Sequence, residues 1–149
     1  MVGSKVEQAG IIRHGAKMLF ATANATVPKL TVIVRKAYGA GYYVMCGKHY
    51  EPDLIVAWPG AEVAVMGADG MIGIHAIKSG GLEKMSEETK GKLRAQILSE
   101  INVFKTAGWN AIDDIIDPRQ TRPLLARALQ LTRGKKVDRP WRRNPVMPV

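Results

Sequence analysis

Between Leu30 and Met45 the chain holds a run whose chemistry would come from its backbone. An apolar, β-branched stretch, Leu30-Thr31-Val32-Ile33-Val34, breaks at Arg35-Lys36 and enters Ala37-Tyr38-Gly39-Ala40-Gly41; Tyr42-Tyr43-Val44-Met45 follows. Nothing in Gly39-Ala40-Gly41 can act as a side-chain base or nucleophile. A buried strand that turns on small residues into a helix instead aims unpartnered N–H groups at one point in space. Such donors can hold an anion, or an oxyanion as it develops in a transition state. The same residues would also make an ordinary close-packed corner, and the residue pattern leaves both readings open.

Other chemistries find less support. The single cysteine, Cys46, excludes an internal disulfide and any multi-cysteine zinc site. His14, His49 and His75 show no paired metal spacing, so they read as helix-surface or capping residues. Asp113, Asp114 and Asp117 could suggest a carboxylate cluster. Neighbours on a strand point to opposite faces, which favours a helix cap at Asp117 and solvation for the others. Two stretches imitate phosphate loops. From Gly41 to Lys48 the glycine spacing is one residue too long for a Walker loop, and Lys48 is followed by His49 rather than Ser or Thr. Gly67, Gly70 and Gly73 have the spacing GxxGxxG, not GxGxxG.

The elements that must position the corner read as follows. A helix is predicted over residues 3–25, capped by Ser4 with Glu7 three residues on, and weakened by Gly10 and Gly15. Strands are predicted at Leu30–Val34, at 54–58 and at 62–66. A short helix at Tyr42–Cys46 is stopped by Gly47, and the glycines after Met66 lead into another. Gly80-Gly81 marks a loop. Ser86 caps a long helix to Thr106, with Leu93, Ile97, Ile101 and Phe104 as its buried stripe. Asp117-Pro118 opens a last helix, buried through Leu124, Leu125, Ala128, Leu129 and Leu131, and Gly134 ends it. Strand–helix alternation implies an α/β layered fold.

With 149 residues, 46% of them hydrophobic, the chain suits one domain with a core. Apolar runs are too short for a membrane span, and the N-terminus lacks a signal peptide's apolar region, so a cytoplasmic setting is the default expectation. Over residues 132–143 six basic residues face Asp138 alone, so this arm carries more than half of the net charge of +9. The division expected is therefore a body over 1–131 and a basic, Pro-containing arm over 132–149. A basic arm can bind nucleic acid, but the body lacks the aromatic and basic interleaving of single-strand binders.

Gly10-Ile11-Ile12-Arg13-His14-Gly15-Ala16-Lys17, followed by Val27-Pro28-Lys29-Leu30-Thr31-Val32-Ile33-Val34-Arg35-Lys36-Ala37-Tyr38-Gly39, resembles the carboxyltransferase (β) subunit of biotin-dependent acyl-CoA carboxylases. That family includes propionyl-CoA and methylcrotonyl-CoA carboxylases and decarboxylases acting on methylmalonyl-CoA and glutaconyl-CoA. Ala57-Trp58-Pro59, the stretch from Ala61 to Gly67, and Ile112 to Arg122 with its Asp117-Pro118-Arg119-Gln120-Thr121 are similar to further motifs of the family. The resemblance covers nearly the whole chain. It implies a crotonase-like ββα superhelix, of which this chain matches the later part of the second half. Met1 stands where the family has an internal segment, so an alternative start and a split subunit both fit.

The resemblance also implies a chemistry. Carboxybiotin, carried on a biotin carboxyl carrier protein or a biotin-bearing α subunit, releases CO2, and the ureido oxygen is stabilised by two backbone N–H groups. The matching positions here are Ala40 and Gly41. An acyl-CoA bound by the first half of a partner subunit then loses its α-proton to biotin and attacks CO2. Tyr38, Gly39, Tyr42 and Tyr43 flank that place as substrate-binding candidates. Where propionyl-type members carry Gly-Gly-Ala-Tyr-Asp, this chain has Gly39-Ala40-Gly41-Tyr42-Tyr43. Tyr43 thus stands at the position linked with acyl-chain choice, or is a packing residue. Homo-oligomers and a missing N-terminal half are implied; metal, nucleic acid and a membrane segment are not. A non-catalytic assembly module is the alternative, and a nucleic-acid-binding module ranks below it.

Overall fold

In the computed structural model, which describes residues 3–78 and 80–138, two helices lead into strands that alternate between two sheets. In chain order the elements are α1 (Ser4–Gln8), α2 (Ile11–Asn24), β1 (Leu30–Ile33), β2 (Lys36–Tyr38), α3 (Gly39–Val44), β3 (Leu54–Ala57), β4 (Glu62–Ala64) and α4 (Ala68–Lys78). They continue with α5 (Glu87–Glu100), α6 (Val103–Gly108), β5 (Asp114–Ile115) and α7 (Thr121–Thr132). β1, β3 and β5 form a parallel sheet in the order β1-β3-β5, while β2 and β4 form a separate parallel pair. The unit strand–strand–helix therefore occurs twice, as β1-β2-α3 and β3-β4-α4. Leu30 stands opposite Leu54 and Lys36 opposite Glu62, so the two units advance together in both sheets.

Composition accounts for the strands. β1 and β3 are apolar and uncharged, as parallel strands under cover tend to be. β3 is the central one: Ile55, Val56 and Ala57 are buried on both faces. Ile33, Ile55, Ala57, Ala61, Val103 and Ile112 form the main core, with Tyr42 and Val63 packed on it. Burying a side chain the size of Ile55 contributes about 1.5–3 kcal/mol. A second cluster, Ala68, Ile72, Ile97 and Ile101, joins α4 to α5.

Several boundaries differ from the sequence reading, each for a local reason. The helix expected over residues 3–25 is two helices. Gly10 adopts φ +84°, a left-handed conformation open to glycine, and the chain breaks there. Ser4 is the first helical residue rather than the cap, and Gly3 takes the cap position with no side-chain bond. The helix from Ser86 is also two. Ser86 accepts the Thr89 N–H as predicted, but α5 stops at Glu100 and Asn102 caps α6 by accepting from Lys105 N–H. Between them Ile101 C=O accepts from Val63 N–H, and Val103 N–H donates to Ala61 C=O, so this segment leaves the helix to close the β4 edge. The new phase turns Phe104 outward, 62% exposed. Leu129 and Leu131 of α7 are likewise exposed, while Ala128 is buried.

Around the corner itself, β1 ends at Ile33 and the chain bends at Arg35, where the sequence reading places its break; Lys36 then opens β2, and α3 begins at Gly39 rather than Tyr42. Gly47 does not terminate α3. Cys46 takes the left-handed position at φ +67°, and Gly47 is glycine because a Cβ there would lie 2.6 Å from the Tyr42 ring. Asp117 caps a 3-10 turn at Pro118–Gln120, accepting from Arg119 N–H, and α7 follows. The basic arm beyond Asp138 lies outside the described residues. Its first part is tied down where Lys135 reaches Asp53 at 2.7 Å.

Candidate functional site

β2 carries the chain to Tyr38, whose extended backbone caps α3. Gly39 then turns with φ +51°, and a Cβ on it would stand 2.8 Å from the Val65 carbonyl oxygen. Both facts require glycine there: the left-handed φ and the close approach of the next unit's corner. The neighbouring corner, between β4 and α4, presses back. A Cβ on Gly67 would meet the Tyr38 ring at 3.0 Å. The two strand-to-helix corners thus interlock, Gly39 on Val65 and Tyr38 on Gly67.

Ala40 and Gly41 follow as the second and third residues of α3, where N–H groups have no carbonyl four residues back within the helix. Ala40 is exposed, and a Cβ on Gly41 would meet nothing within 4 Å. No internal packing demands glycine at position 41, in contrast to Gly39. Ala40 and Gly41 lie side by side in the first turn of α3, Ala40 exposed and Gly41 partly buried.

The tyrosines divide. Tyr38 is half-buried and donates its O–H to the Glu62 carboxylate. Burial, with the Glu62 hydrogen bond and charge, pushes its phenol up to about 12, so it stays neutral and is a brace rather than an acid. Tyr42 turns into the core, its ring over Gly47 and its hydroxyl oxygen accepting from Lys48 N–H at 3.0 Å. Tyr43 stays 41% exposed, stacked on His49 with ring centroids 5.6 Å apart and edge-on to Tyr50 at 6.4 Å. Ala40 and Tyr43 are three apart on one helix and share a face.

Sequence reasoning missed Glu62, the Val65 carbonyl and His49 as neighbours of the corner. No local pattern marks them, because each arrives through parallel pairing or a turn closed by tertiary contact. It also missed the job of Asp113. Burial alone would raise its carboxyl, yet the Lys48 ammonium and the Ile55 N–H at 2.8 Å hold it below the usual range. Asp113 latches β5 to β3 and the turn after α3. Among the described residues no group of three His, Cys, Asp or Glu is placed to hold a metal.

Two open depressions lie elsewhere, of about 360 and 350 Å³. Lys29, His49, Tyr50 and Glu51 line the first, and Asp114, Ile116, Leu124 and Arg127 the second. Neither is lined by Gly39, Ala40 or Gly41.

Residues 1–147 match the family described as the carboxyl transferase domain. The chain belongs to that family. This carboxyl transferase domain is 44% identical to the mitochondrial propionyl-CoA carboxylase beta chain of Rattus norvegicus over 99% of its own length and 26% of the relative's. It is 42% identical to the methylmalonyl-CoA carboxyltransferase 12S subunit of Propionibacterium freudenreichii, over 98% of this chain and 28% of that one. Among solved structures, a transcarboxylase 12S hexamer with methylmalonyl-coenzyme A bound superposes at a TM-score of 0.86 with 38% identity, covering all of this chain and 28% of that one. The geranyl-CoA carboxylase beta subunit of Pseudomonas aeruginosa gives 0.80 and 35%, again over all of this chain and 29% of that one. The crotonase-like α/β architecture expected from the resemblance is thus the one found, as a partial domain. The carboxyl transferase domain described here spans between a quarter and a third of its relatives' length. Among the described residues no helix is long and apolar enough to cross a membrane.

Proposed function

We propose that this chain is the biotin-side portion of a carboxyltransferase that moves a carboxyl group between biotin and an acyl-CoA. The observation that carries the reading is the α3 start, where Ala40 and Gly41 present backbone donors beside open space. The corner fits the ureido oxygen of biotin because the donors need no side chain and Gly41 leaves room for a ring to approach. Biotin, when bound, supplies the transferable carboxyl group and the base for the acyl-CoA. The chain's own residues supply position and charge stabilisation. Ala40 and Gly41 N–H groups would face an oxygen as negative charge develops on it, where one such donor is worth about 3–4 kcal/mol. Gly39 fixes their direction by seating the turn on Val65, and Tyr38, braced by Glu62, holds the strand from which the turn departs.

Tyr43 is the substrate-facing residue of the set: it shares the Ala40 face, and its ring is fixed by His49 and Tyr50. The names of the relatives support acyl-CoA as the second substrate. The walls of the site, the acyl-CoA platform and the biotin carrier belong to polypeptide outside this chain. A homo-oligomer follows the hexamer of the transcarboxylase 12S structure.

The test is a chimera in which this chain replaces the matched segment of the full-length 12S subunit, assayed with carboxylated biotin and methylmalonyl- or propionyl-CoA. Turnover is expected, and Gly41→Val lowers it by at least about 100-fold while the assembly stays folded. A Gly41→Val chimera that turns over normally defeats the assignment. The chain alone is expected to transfer nothing measurable.

A further inference from the structure

The turn after α3 is pinned on both flanks and carries one imidazole at its apex. Lys48–Tyr50 form a 3-10 turn, bracketed by two non-glycine residues in the left-handed region, Cys46 at φ +67° and Glu51 at φ +52°. Such backbone persists where surrounding contacts fix it, and it collects at functional places. The fixing contacts are present here. Lys48 donates its N–H to the Tyr42 hydroxyl oxygen and its ammonium to Asp113, and Lys29 donates its ammonium to the Tyr50 carbonyl. His49, between them, takes no part in that network. It is exposed, and among the described residues no hydrogen bond or ion pair reaches its imidazole, whose ring contact is Tyr43.

Tyr43 depends on that contact. Among the described residues no hydrogen bond reaches its hydroxyl, so packing alone selects its side-chain rotamer. Three rings surround it. Tyr42 meets it with centroids 5.6 Å apart and 67° between the planes, and Tyr50 at 6.4 Å and 80°. His49 lies at 5.6 Å and 17°, the one near-parallel neighbour of the three. Tyr42 and Tyr50 have other anchors: the Tyr42 hydroxyl oxygen accepts from Lys48, and Tyr50 N–H donates to Gly47 C=O. Removing the imidazole therefore takes away the stacked contact and leaves the other two rings in place.

We propose that His49 is a positioning residue for acyl-chain choice: stacked on Tyr43, it holds the phenol as a fixed stop, so that the site takes short acyl groups. The inference rests on the reading of Tyr43 as substrate-facing and deepens it. Tyr43 shares the α3 face of Ala40, so an acyl group reacting beside the Ala40 N–H extends toward the Tyr43 side chain. A phenol held in one rotamer keeps the volume that a longer chain would need. A phenol free to change rotamer gives that volume up. His49 touches no substrate in this scheme and acts through Tyr43. A flat side chain is required at the apex of the turn, because an aliphatic one offers no face on which the phenol can stack.

Acyl-chain preference in the full-length 12S chimera tests it, read as the ratio of kcat/KM for hexanoyl-CoA to that for propionyl-CoA. His49→Ala should raise the ratio by about 3- to 10-fold, through KM for the acyl-CoA rather than through kcat. His49→Phe, which keeps a flat ring, should hold the wild-type ratio. In a Tyr43→Ala background, where the stop is gone, His49→Ala should change nothing further. An unchanged ratio in His49→Ala overturns the proposal, as does a rise that persists in the Tyr43→Ala background or one that His49→Phe shares. Fluorine NMR of the chain labelled with fluorotyrosine reads the ring itself: His49→Ala should shift and sharpen the Tyr43 resonance and leave that of Tyr38 in place. An unmoved Tyr43 resonance also overturns the proposal. A chimera that transfers no carboxyl group defeats the biotin assignment, and the ratio is then read from calorimetric binding of the two acyl-CoAs, with the same outcomes deciding the role of His49.

Discussion

Gly39 and Gly41 are two positions apart and answer to different demands. At Gly39 a side chain meets a left-handed φ and a carbonyl oxygen 2.8 Å from its Cβ. Gly39→Ala should destabilise the chain by more than the roughly 1–2 kcal/mol that the left-handed conformation alone costs an L-residue. Gly41→Ala, in a helix and facing open space, should leave stability unchanged or raise it by up to about 1 kcal/mol. Urea unfolding of both variants decides the matter, and equal losses would contradict the geometry. Tyr38 makes a second residue-level prediction. Its folded pKa, about 12, lies above the ordinary value of 10.0, so folding favours the neutral phenol. The stability it contributes is complete below pH about 10 and is lost as pH rises from there through 12. Tyr38→Phe should flatten that alkaline limb of the stability curve, and phenolate absorbance should show one tyrosine titrating late. A wild-type limb no steeper than the variant's would exclude the brace.

Elements in this protein end where a neighbour's needs interrupt them. From Ser86 onward the helical pattern continues past Glu100, and only the β4 edge explains why the chain stops, caps with Asn102 and starts again. Asn102→Ala removes the acceptor for Lys105 N–H and should cost about 1 kcal/mol in thermal or urea unfolding. The Glu62 N–H bond to Arg35 should keep its exchange protection in that variant, because it lies on the other side of β4. Loss of protection there would mean that the two sides of β4 unfold as one. The same logic explains β2. Arg35 and Lys36 look like a break in an apolar run, yet three residues pair with β4 because partner backbone is present at that spot.

For the molecule as a whole, the telling feature is how much large apolar surface is uncovered. Ile77 and Leu131 are 79% and 77% exposed, on helices α4 and α7, and Val65, Ile12 and Trp109 are exposed as well. Large apolar side chains left in water on separate helices are available to pack on other polypeptide, a second copy of the chain included. The chain alone should therefore associate as its concentration rises, measured by sedimentation velocity, and Ile77→Glu with Leu131→Glu should reduce it. A single monomeric species at all concentrations would refute this.

Local chemistry was enough to read the β-branched runs as β1 and β3, Ser86 and Asp117 as caps, and Gly39-Ala40-Gly41 as a strand-to-helix corner. Each of those depends on neighbours a few residues away. The motifs from Gly10 to Gly39 and around Asp117 carried the family. What tertiary structure alone decided is the traffic between distant segments. β2 exists because β4 lies beside it. The helix after Ser86 breaks because β4 has an edge to close, and Phe104 faces outward because of where that break falls. Gly39 is locked by a carbonyl twenty-six residues later in the chain, while Gly41 is left free. That difference between two adjacent-looking glycines is invisible in the sequence, since it is set by what approaches each from outside its own segment.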